Sequence, residues 1–202
     1  MRFLILDTSS ARSSVVIANE TVCLAQNLFE SKQNQSQLLL PLIEELCCVS
    51  ETSLQEIDCF AVVQGPGSFT GLRVGLSTIK AFAYAYGKPV VALNSLELIA
   101  DAIQGEYRAP YVFSRRAHVF AAIYRYQNEK REIILEAKEY TNVFFEEQCE
   151  LQGAARADAA VLHAEKIRVH ALEKIRSGQT TDAFGLCANY LITEVAKSKE
   201  ST

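Results

Sequence analysis

A glycine-rich turn between an apolar segment and a long helical pattern constrains the fold of this chain most strongly. Residues 59–63 form a continuous apolar run of strand length, which is typical of a strand covered on both faces of a parallel sheet. The turn Gly65-Pro66-Gly67-Ser68-Phe69-Thr70-Gly71 follows, and a helical pattern then runs over about residues 70–86. A strand, a tight turn and a helix in this order predict an α/β sheet with helices packed on its faces.

The remaining segments predict two lobes. Apolar segments at 2–6, 14–18, 21–25 and 90–93 predict strands, and helical patterns start near Ser36 and Ser95. A boundary near 105–110 divides a first lobe, 1–106, from a smaller second lobe, 107–202. The second lobe is predicted to hold strands at 111–113, 118–126 and 133–140 and a helix at 159–175. A last helix, at about 182–196, is expected to pack back on the first lobe.

Charge and hydropathy limit the classes of protein to which this chain can belong. The formal net charge is −4, which disfavours a protein that grips nucleic acid by itself. Three basic and eight acidic residues precede Arg73, so the negative charge lies in the first third of the chain. No apolar run approaches the roughly 20 residues that a membrane helix needs, and Asp7 interrupts the apolar start. These features predict a cytoplasmic protein without a membrane contact.

The glycine turn has a structural and a chemical interpretation. Backbone amides at the start of a helix can hold an anion. The spacing is G-x-G-x-x-x-G, the next strand ends at Asn94 instead of a ribose-binding acid, and no Gly-Lys-Ser/Thr sequence follows. Neither a dinucleotide fingerprint nor a Walker A loop is therefore predicted. Spacing alone favours a tight turn that starts a helix, with Ser68 or Thr70 as its cap.

Metal-binding residues lack a recognisable spacing. The histidines are His118, His163 and His170, and none of the six cysteines forms a C-x-x-C pair. We predict no metal site, and we expect solvated or lightly packed histidines. No serine or cysteine nucleophile has an evident histidine base nearby in the sequence, although spacing does not exclude a triad formed in space.

The residues of the glycine turn closely resemble a family signature. Residues 65–75 read Gly-Pro-Gly-Ser-Phe-Thr-Gly-Leu-Arg-Val-Gly, which is similar to the signature of the TsaB (YeaZ-like) family of actin-like-fold proteins. Segments at 6–9, 14–16, 39–43 and 89–96 agree in order, so the likeness covers about residues 1–100. Departures lie mostly in the second half, where Phe113-Ser114-Arg115 stands in place of the family's Asp-Ala-Arg.

The resemblance implies a fold, a role and partners. The fold would be actin-like (ribonuclease H-like) α/β, with a mixed sheet and helices in each lobe. The chain would be a non-catalytic scaffold or activator that binds a TsaD-like catalytic subunit, with a TsaE-like ATPase joining them. The complex makes N6-threonylcarbamoyladenosine at position 37 of tRNAs that read codons beginning with A. The tRNA contact would be indirect, and the chain would form a homodimer when alone.

The wider actin-like superfamily implies a phosphate site between two loops. An acidic residue after the first strand and a hydroxyl-rich loop handle phosphate there, and Asp7-Thr8-Ser9-Ser10 occupies that position. The candidate vestigial anion site comprises Asp7, Thr8, Ser9, Gly65, Gly67, Ser68 and Thr70. The loop lacks a glycine, so we favour Asp7 bonding to its own backbone. We expect no cofactor, and weak ATP or ADP binding only within the complex.

Two helices of the first lobe carry the predicted partner interface. The first holds more apolar surface than one core-facing stripe requires, and the second separates small from large residues. Burial inside the lobe and contact with another subunit both explain these patterns, and the resemblance favours the second. The predicted interface residues are Leu39, Leu42, Ile43, Leu46, Arg73, Ile79, Phe82 and Tyr86.

A nucleotide-dependent enzyme is the alternative function. It would use Asp7 and the glycine turn, as an ATPase or a small kinase of the actin-like superfamily. Tight binding of ATP and magnesium that is lost in Asp7→Ala would favour this alternative over the scaffold.

Overall fold

The computed structural model describes residues 1–30, 35–128, 130–159 and 162–191. In these ranges the chain forms two mixed β-sheets and five α-helices. The elements are, in order, β1 (Arg2–Asp7), β2 (Arg12–Asn19), β3 (Cys23–Glu30), α1 (Gln35–Val49), β4 (Cys59–Gly65), α2 (Phe69–Tyr86), β5 (Val90–Asn94), α3 (Ser95–Ala102), β6 (Tyr107–Phe113), β7 (His118–Gln127), β8 (Lys130–Thr141), α4 (Asn142–Gln152), β9 (Ala155–Ala157) and α5 (Ala164–Arg176).

The first sheet has the strand order β3-β2-β1-β4-β5. Leu4 on β1 pairs with Ile17 of antiparallel β2 and with Phe60 of parallel β4. Successive side chains point to opposite faces of a strand, so Leu4 packs under α1 and α2, whereas its neighbour Phe3 packs against α3 and α5. Helices cover both faces, and residues 3–6 of β1 and 59–63 of β4 are therefore all apolar.

The glycine turn and its helix have the predicted order. Ser68 is the N-cap of α2 and accepts a hydrogen bond from the amide of Gly71. Gly87 closes the helix with a left-handed backbone (φ 64°), a conformation that glycine adopts without steric strain. The tight turn that starts a helix is thus confirmed, with Ser68 and not Thr70 as its cap.

The second sheet has the order β8-β7-β6-β9 and carries α4 on one face. The three longer strands match the predicted ones but extend further. The sequence interpretation missed α4 and β9, and α5 begins at Ala164 instead of residue 159. The helix α4 buries only Phe145 and Cys149, so its apolar periodicity is weak and gave no helical signal.

One core joins the two sheets. Leu98 and Ile99 of α3, Ile167 of α5 and Tyr124 of β7 belong to the same buried cluster as Ile5 of β1. The helix α5 follows the second sheet in the sequence but packs on the first. A division of the chain into lobes at residue 106 therefore remains a prediction, because residues from both sides share this core.

The predicted last helix is wrong over residues 182–191. Thr181 pairs with Val90 at the edge of β5, and the amide of Asn189 donates to the carbonyl of Gln64. The carboxylate of Asp182 accepts from the amides of the following turn, which draws the backbone away from a helix. Leu186, 1% exposed, fixes this segment to the first sheet's core. Residues 192–196 lie outside the described ranges.

No helix in the described ranges is a candidate for crossing a membrane. None of the helices there combines the length and the apolar character that such a crossing requires.

Candidate functional site

The loop after β1 is buried and bonded to itself. Asp7 is 3% exposed, and its Oδ1 accepts from the backbone amide of Ser9 at 2.9 Å and from the Ser9 hydroxyl at 2.6 Å. Burial raises the pKa of Asp7, and the two bonds from Ser9 oppose that rise. The carboxyl group therefore holds its own loop in place, as the favoured interpretation of the sequence expected.

The glycine turn packs directly on this loop, backbone against backbone. The amide of Ser68 donates to the carbonyl of Ser9 at 2.7 Å. A Cβ atom on Gly67 would overlap that same carbonyl, and a Cβ on Gly71 would overlap the carbonyl of Thr8. Two of the turn's glycines are thus required for close approach.

The first turn of α2 is tied to the same loop. The Thr8 hydroxyl donates to the carbonyl of Gly71 at 2.8 Å, and a Cβ on Gly75, one helical turn later, would overlap that hydroxyl. The structure therefore explains these helix glycines by contact with one buried threonine. Their role in the signature is to seat α2 against β1.

The residues of the predicted anion site are only partly brought together. Ser9 contacts Asp7, Gly67 and Ser68, whereas Thr8 contacts the first turns of α2. Gly65 lies instead against the backbone of Asn189 with a φ of 117°, and Thr70 is exposed on α2. Anion binding by this group stays a prediction.

A cleft of about 530 Å³ opens beside these loops. Its first-sheet side consists of the β1–β2 loop and the start of α2, and its second-sheet side of the end of β6. Arg12, Ser68 and Phe69 line the first side, and Phe113 and Ser114 line the second. The cleft combines an aromatic wall with hydroxyl groups, the guanidinium of Arg12 and the carboxylate of Asp158, a composition that suits a small polar ligand.

Residues 114 and 115, where the sequence departs from the family pattern, make structural contacts within the second sheet. The Ser114 hydroxyl donates to Glu139 at 2.6 Å, and Arg115 pairs with the same carboxylate at 2.9 Å. Both bonds lower the pKa of Glu139. These side chains thus tie the β6–β7 hairpin to β8.

The predicted interface residues on α1 and α2 divide by burial. Leu39, Ile43, Leu46 and Ile79 are at most 5% exposed because they fill the core beneath the first sheet's outer helices. For these four the interface prediction is wrong. Leu42, Phe82 and Tyr86 are half-buried and Arg73 is exposed, so these four remain candidates.

The exposed apolar side chains of α1 are different ones. Leu38 is 44% exposed, Leu40 is 50% and Val49 is 66%. Leu38, Leu42 and Val49 recur at intervals of four and seven residues, so they lie along one side of the helix, next to the core-facing stripe. The sequence showed the surplus of leucines on α1 but not which of them face outward.

Arg73 sits in an aromatic cluster at the start of α2. Its guanidinium lies 3.9 Å from the centre of the Phe69 ring, and its Nε is 3.4 Å from the Tyr190 hydroxyl. The rings of Phe69 and Tyr190 are 5.3 Å apart. Contacts of this kind orient an arginine, and they link α2 to the chain segment after α5.

Sequence reasoning missed an ionic cluster between α3, α5 and β8. His170 lies 3.1 Å from Asp101 and 3.8 Å from Glu97, and Glu97 also pairs with Arg131 at 2.9 Å and Lys174 at 3.9 Å. The Tyr126 hydroxyl donates to Asp101. The expectation of lightly packed histidines is wrong for His170, because these partners lie far from it in the sequence.

The charges in this cluster shift one another's pKa values. Burial lowers the pKa of His170, but the hydrogen bonds and charges of Asp101 and Glu97 outweigh it and raise the pKa to about 9. The bond from His170 lowers the pKa of Glu97 to about 2, with help from Arg131 and Lys174. Among the described residues, no group of three or more His, Cys, Asp or Glu side chains is arranged to hold a metal.

Comparison with known proteins supplies the family. The model of the TsaD family, tRNA N6-adenosine threonylcarbamoyltransferase, matches residues 26–201. The tRNA threonylcarbamoyladenosine biosynthesis protein TsaB of Bacillus subtilis is 29% identical over 132 residues, which are 63% of this chain and 57% of that protein. TsaB of Escherichia coli is 33% identical over 109 residues, which are 54% and 45% of the two chains. The chain spans about half the length of the curated relatives it matches.

A solved structure extends the likeness over nearly the whole fold. The Pseudomonas aeruginosa protein described as similar to the peptidase YEAZ superposes with a TM-score of 0.80 at 22% identity and covers 95% of this chain and 99% of that one. Together with the two mixed sheets, these matches confirm the actin-like α/β fold class. Because the family match extends over most of its length, the chain belongs to the TsaD family of tRNA N6-adenosine threonylcarbamoyltransferases, within which it is TsaB/YeaZ-like.

Proposed function

We propose that this chain is a scaffold or activator subunit of the machinery that makes N6-threonylcarbamoyladenosine in tRNA. In this proposal it binds a TsaD-like catalytic subunit and stabilises its active conformation, and it does not carry out the chemistry itself. The named relatives act in this biosynthesis, and they support the assignment of the pathway. The modified base would be adenosine 37 of tRNAs that read codons beginning with A.

The observation that carries the proposal is the outer surface of α1 and α2. The apolar side of α1, formed by Leu38, Leu42 and Val49, lies on the same face of the first sheet as α2. On α2, Ser77, Ala81 and Ala85 are exposed at intervals of four residues, so they form a stripe of small side chains. An apolar row beside a small-residue stripe suits a helix from another subunit, because it allows close packing.

The buried loop supports a role without chemistry. The carboxyl group of Asp7 is bonded to Ser9, and the glycines of the turn seat α2 on the loop. These groups serve the chain's own packing, whereas a nucleotide-handling loop needs acceptors and amides that face the ligand. The signature thus supports a structural device that sets the position of the partner-binding helix α2.

The outer surface of α1 and α2 and the net charge of the chain support the larger assembly that we propose. A TsaE-like ATPase would join the pair, and a second copy of this chain would cover the α1–α2 surface when the catalytic subunit is absent. With a net charge of −4, the chain would reach tRNA through its partner, which supplies the cations that phosphates need. The site of action would be the cytoplasm.

Substitutions on the outer surface of α1 and α2 test this function. We expect Leu38→Glu and Ala81→Arg each to weaken binding to the purified catalytic subunit at least about tenfold, because each puts a charge into a closely packed helix contact. Light scattering after size-exclusion chromatography measures the assembly, and mass spectrometry of the tRNA measures the modified adenosine.

A matched leucine far from this surface provides the control. Leu151 is 75% exposed on α4, and Leu151→Glu should leave assembly and product unchanged. Failure of the unsubstituted chain to co-elute with the catalytic subunit, together with product formation in its absence, would refute the proposed function.

The cleft of about 530 Å³ is the observation that favours the alternative, a nucleotide-dependent enzyme. Because Asp7 is buried and already bonded, we expect the chain alone not to bind ATP and magnesium, and weak binding to occur only within the complex. Titration calorimetry measures this. Tight binding that Asp7→Ala abolishes would favour the enzyme instead.

A further inference from the structure

The outward side of α4 is more apolar than a helix that faces only water requires. Phe145 and Cys149 point to the second sheet and are buried. With 3.6 residues per turn, Val143, Glu147 and Leu151 lie on the opposite side of the helix. Val143 is 67% exposed and Leu151 is 75% exposed. The helix therefore has an apolar side chain at each end of its outward side as well as a core-facing side, a pattern that is typical of a helix covered on both sides.

The apolar surface continues from α4 onto β8. The ring of Phe144, 39% exposed, stacks on the ring of Tyr140 with the ring centres 5.4 Å apart. The Tyr140 hydroxyl donates to the backbone carbonyl of Glu136 at 2.8 Å, which holds this pair of rings in one position on the sheet. A surface that is already ordered loses little conformational entropy when a partner binds to it.

The charges of α4 are all negative. The helix carries Glu146, Glu147 and Glu150 and contains neither lysine nor arginine. Glu146 pairs with Arg156 of β9 at 3.4 Å. Glu147 and Glu150 are exposed, and neither has an ion-pair partner within the part of the chain that the structure describes. Two uncompensated carboxylates therefore lie within and beside the apolar row.

These carboxylates disfavour three kinds of occupant for the surface. A second copy of the chain that presents the same helix would bring acids against acids, which costs binding energy. Nucleic acids and anionic lipid surfaces are negatively charged and attract basic segments, so Glu147 and Glu150 repel both. The occupant that the charges favour brings cations together with apolar side chains.

We propose that the outward side of α4 is a docking site for a basic amphipathic helix of another protein. A row of side chains spaced four residues apart packs into the groove of a second helix. The docked helix places a lysine or arginine opposite Glu147 and an apolar side chain against each of Val143 and Leu151. Because these two residues are eight positions apart, the two apolar contacts are about 12 Å apart along the helix. The surface is separate from α1 and α2 and goes beyond the function proposed above.

A designed helical peptide tests this docking site. One face of the peptide repeats leucine, arginine and leucine at intervals of four residues. The chain contains no tryptophan, so a single tryptophan beside the apolar face of the peptide reports its burial by a blue shift of the emission. We expect the peptide to bind the full chain. Phe144→Ala should weaken binding about tenfold, because it removes the largest apolar contact, and Glu147→Gln should weaken it about threefold, because it removes one exposed ion pair.

Matched controls separate α4 from the rest of the molecule. Leu40, 50% exposed, and the exposed Glu45 form a similar apolar and acidic pair on α1, and Leu40→Ala and Glu45→Gln should leave peptide binding unchanged. A peptide with glutamate in place of arginine should not bind. Added salt should reduce the difference between Glu147→Gln and the unsubstituted chain, because salt screens an exposed ion pair. Thermal unfolding checks that each variant keeps its fold.

Four outcomes would overturn the proposal. They are unchanged peptide emission at the highest soluble concentration of the chain, equal binding of the glutamate peptide, loss of binding in the α1 variants but not in the α4 variants, and a dimer of the chain that Phe144→Ala dissociates. The third would locate the peptide on α1, and the fourth would identify a second copy as the occupant. Because the catalytic subunit is proposed to contact α1 and α2, none of these outcomes for α4 decides whether that subunit binds.

Discussion

Gly71→Ala should lower the free energy of unfolding by about 3 kcal/mol, because the added Cβ would overlap the backbone carbonyl of Thr8. Thr8 is fully buried and its hydroxyl is bonded to Gly71, so neither backbone can move aside alone. Helix propensity by itself predicts the opposite, since alanine is about 1 kcal/mol more favourable than glycine inside a helix. Urea unfolding followed by circular dichroism measures the difference.

Two further substitutions in α2 separate the effect of steric overlap with Thr8 from the effect of intrinsic helix propensity. Ser77→Ala, at an exposed position of the same helix, should stabilise the chain by a few tenths of a kcal/mol, roughly. Gly75→Ala should cost about 2 kcal/mol because its Cβ would overlap the Thr8 hydroxyl. In a Thr8→Ala background this cost should largely disappear, since the overlapping oxygen is gone. A stabilised Gly71→Ala variant would contradict the packing of the signature on the β1 loop.

Removal of the charge at His170 should cost about 2 kcal/mol of stability near pH 6 and much less above pH 9. The folded pKa of about 9 exceeds the ordinary value of 6.5, so protonated His170 stabilises the fold fully below about pH 6.5, and this contribution is lost as the pH rises through 9. The side chain is partly solvated, and the effect is accordingly smaller than the full pKa difference implies. Denaturant unfolding at several pH values measures it.

His170→Gln is the matched variant for this measurement. Glutamine keeps a donor near Asp101 but cannot be protonated, so the stability difference from the unsubstituted chain isolates the titration of His170. Glu97 contributes on the acid side: its pKa of about 2 lies below the ordinary 4.5, so its stabilisation is present above about pH 4.5 and lost as the pH falls through 2. A difference between the two chains that does not change between pH 6 and 9 would contradict the ionic cluster.

The elements of the first half were predictable because each has a strong local signal. The apolar run of β4, the glycines of the turn and the Gly87 stop define a strand, a turn and a helix within a few residues. The second half was less predictable. The helix α4 buries only two of its side chains. Residues 182–191 look helical in sequence, but Thr181 just before them pairs with Val90 of β5, and the amide of Asn189 donates to the carbonyl of Gln64 at the end of β4.

In the candidate site, too, residues close in sequence predicted the loops, whereas contacts between residues far apart in sequence could not be predicted. The residue patterns marked the Asp7 loop and the glycine turn as two separate segments, and only the family resemblance joined them in one predicted site. Their contact through Thr8, Ser9 and Gly71 required the parallel pairing of β1 with β4, which brings both loops to one edge of the sheet.

The sequence alone determined the class of fold, the family and the start of α2, since these depend on periodicity, turn residues and a signature that are local in the chain. Only the tertiary structure decided which leucines of α1 face outward, what covers the edge of β5 and which acids surround His170. Helical periodicity defines a stripe, but the direction that the stripe faces depends on what packs against it. In this chain, Leu39 and Leu38 are neighbours in sequence, and the first sheet makes one core and the other surface.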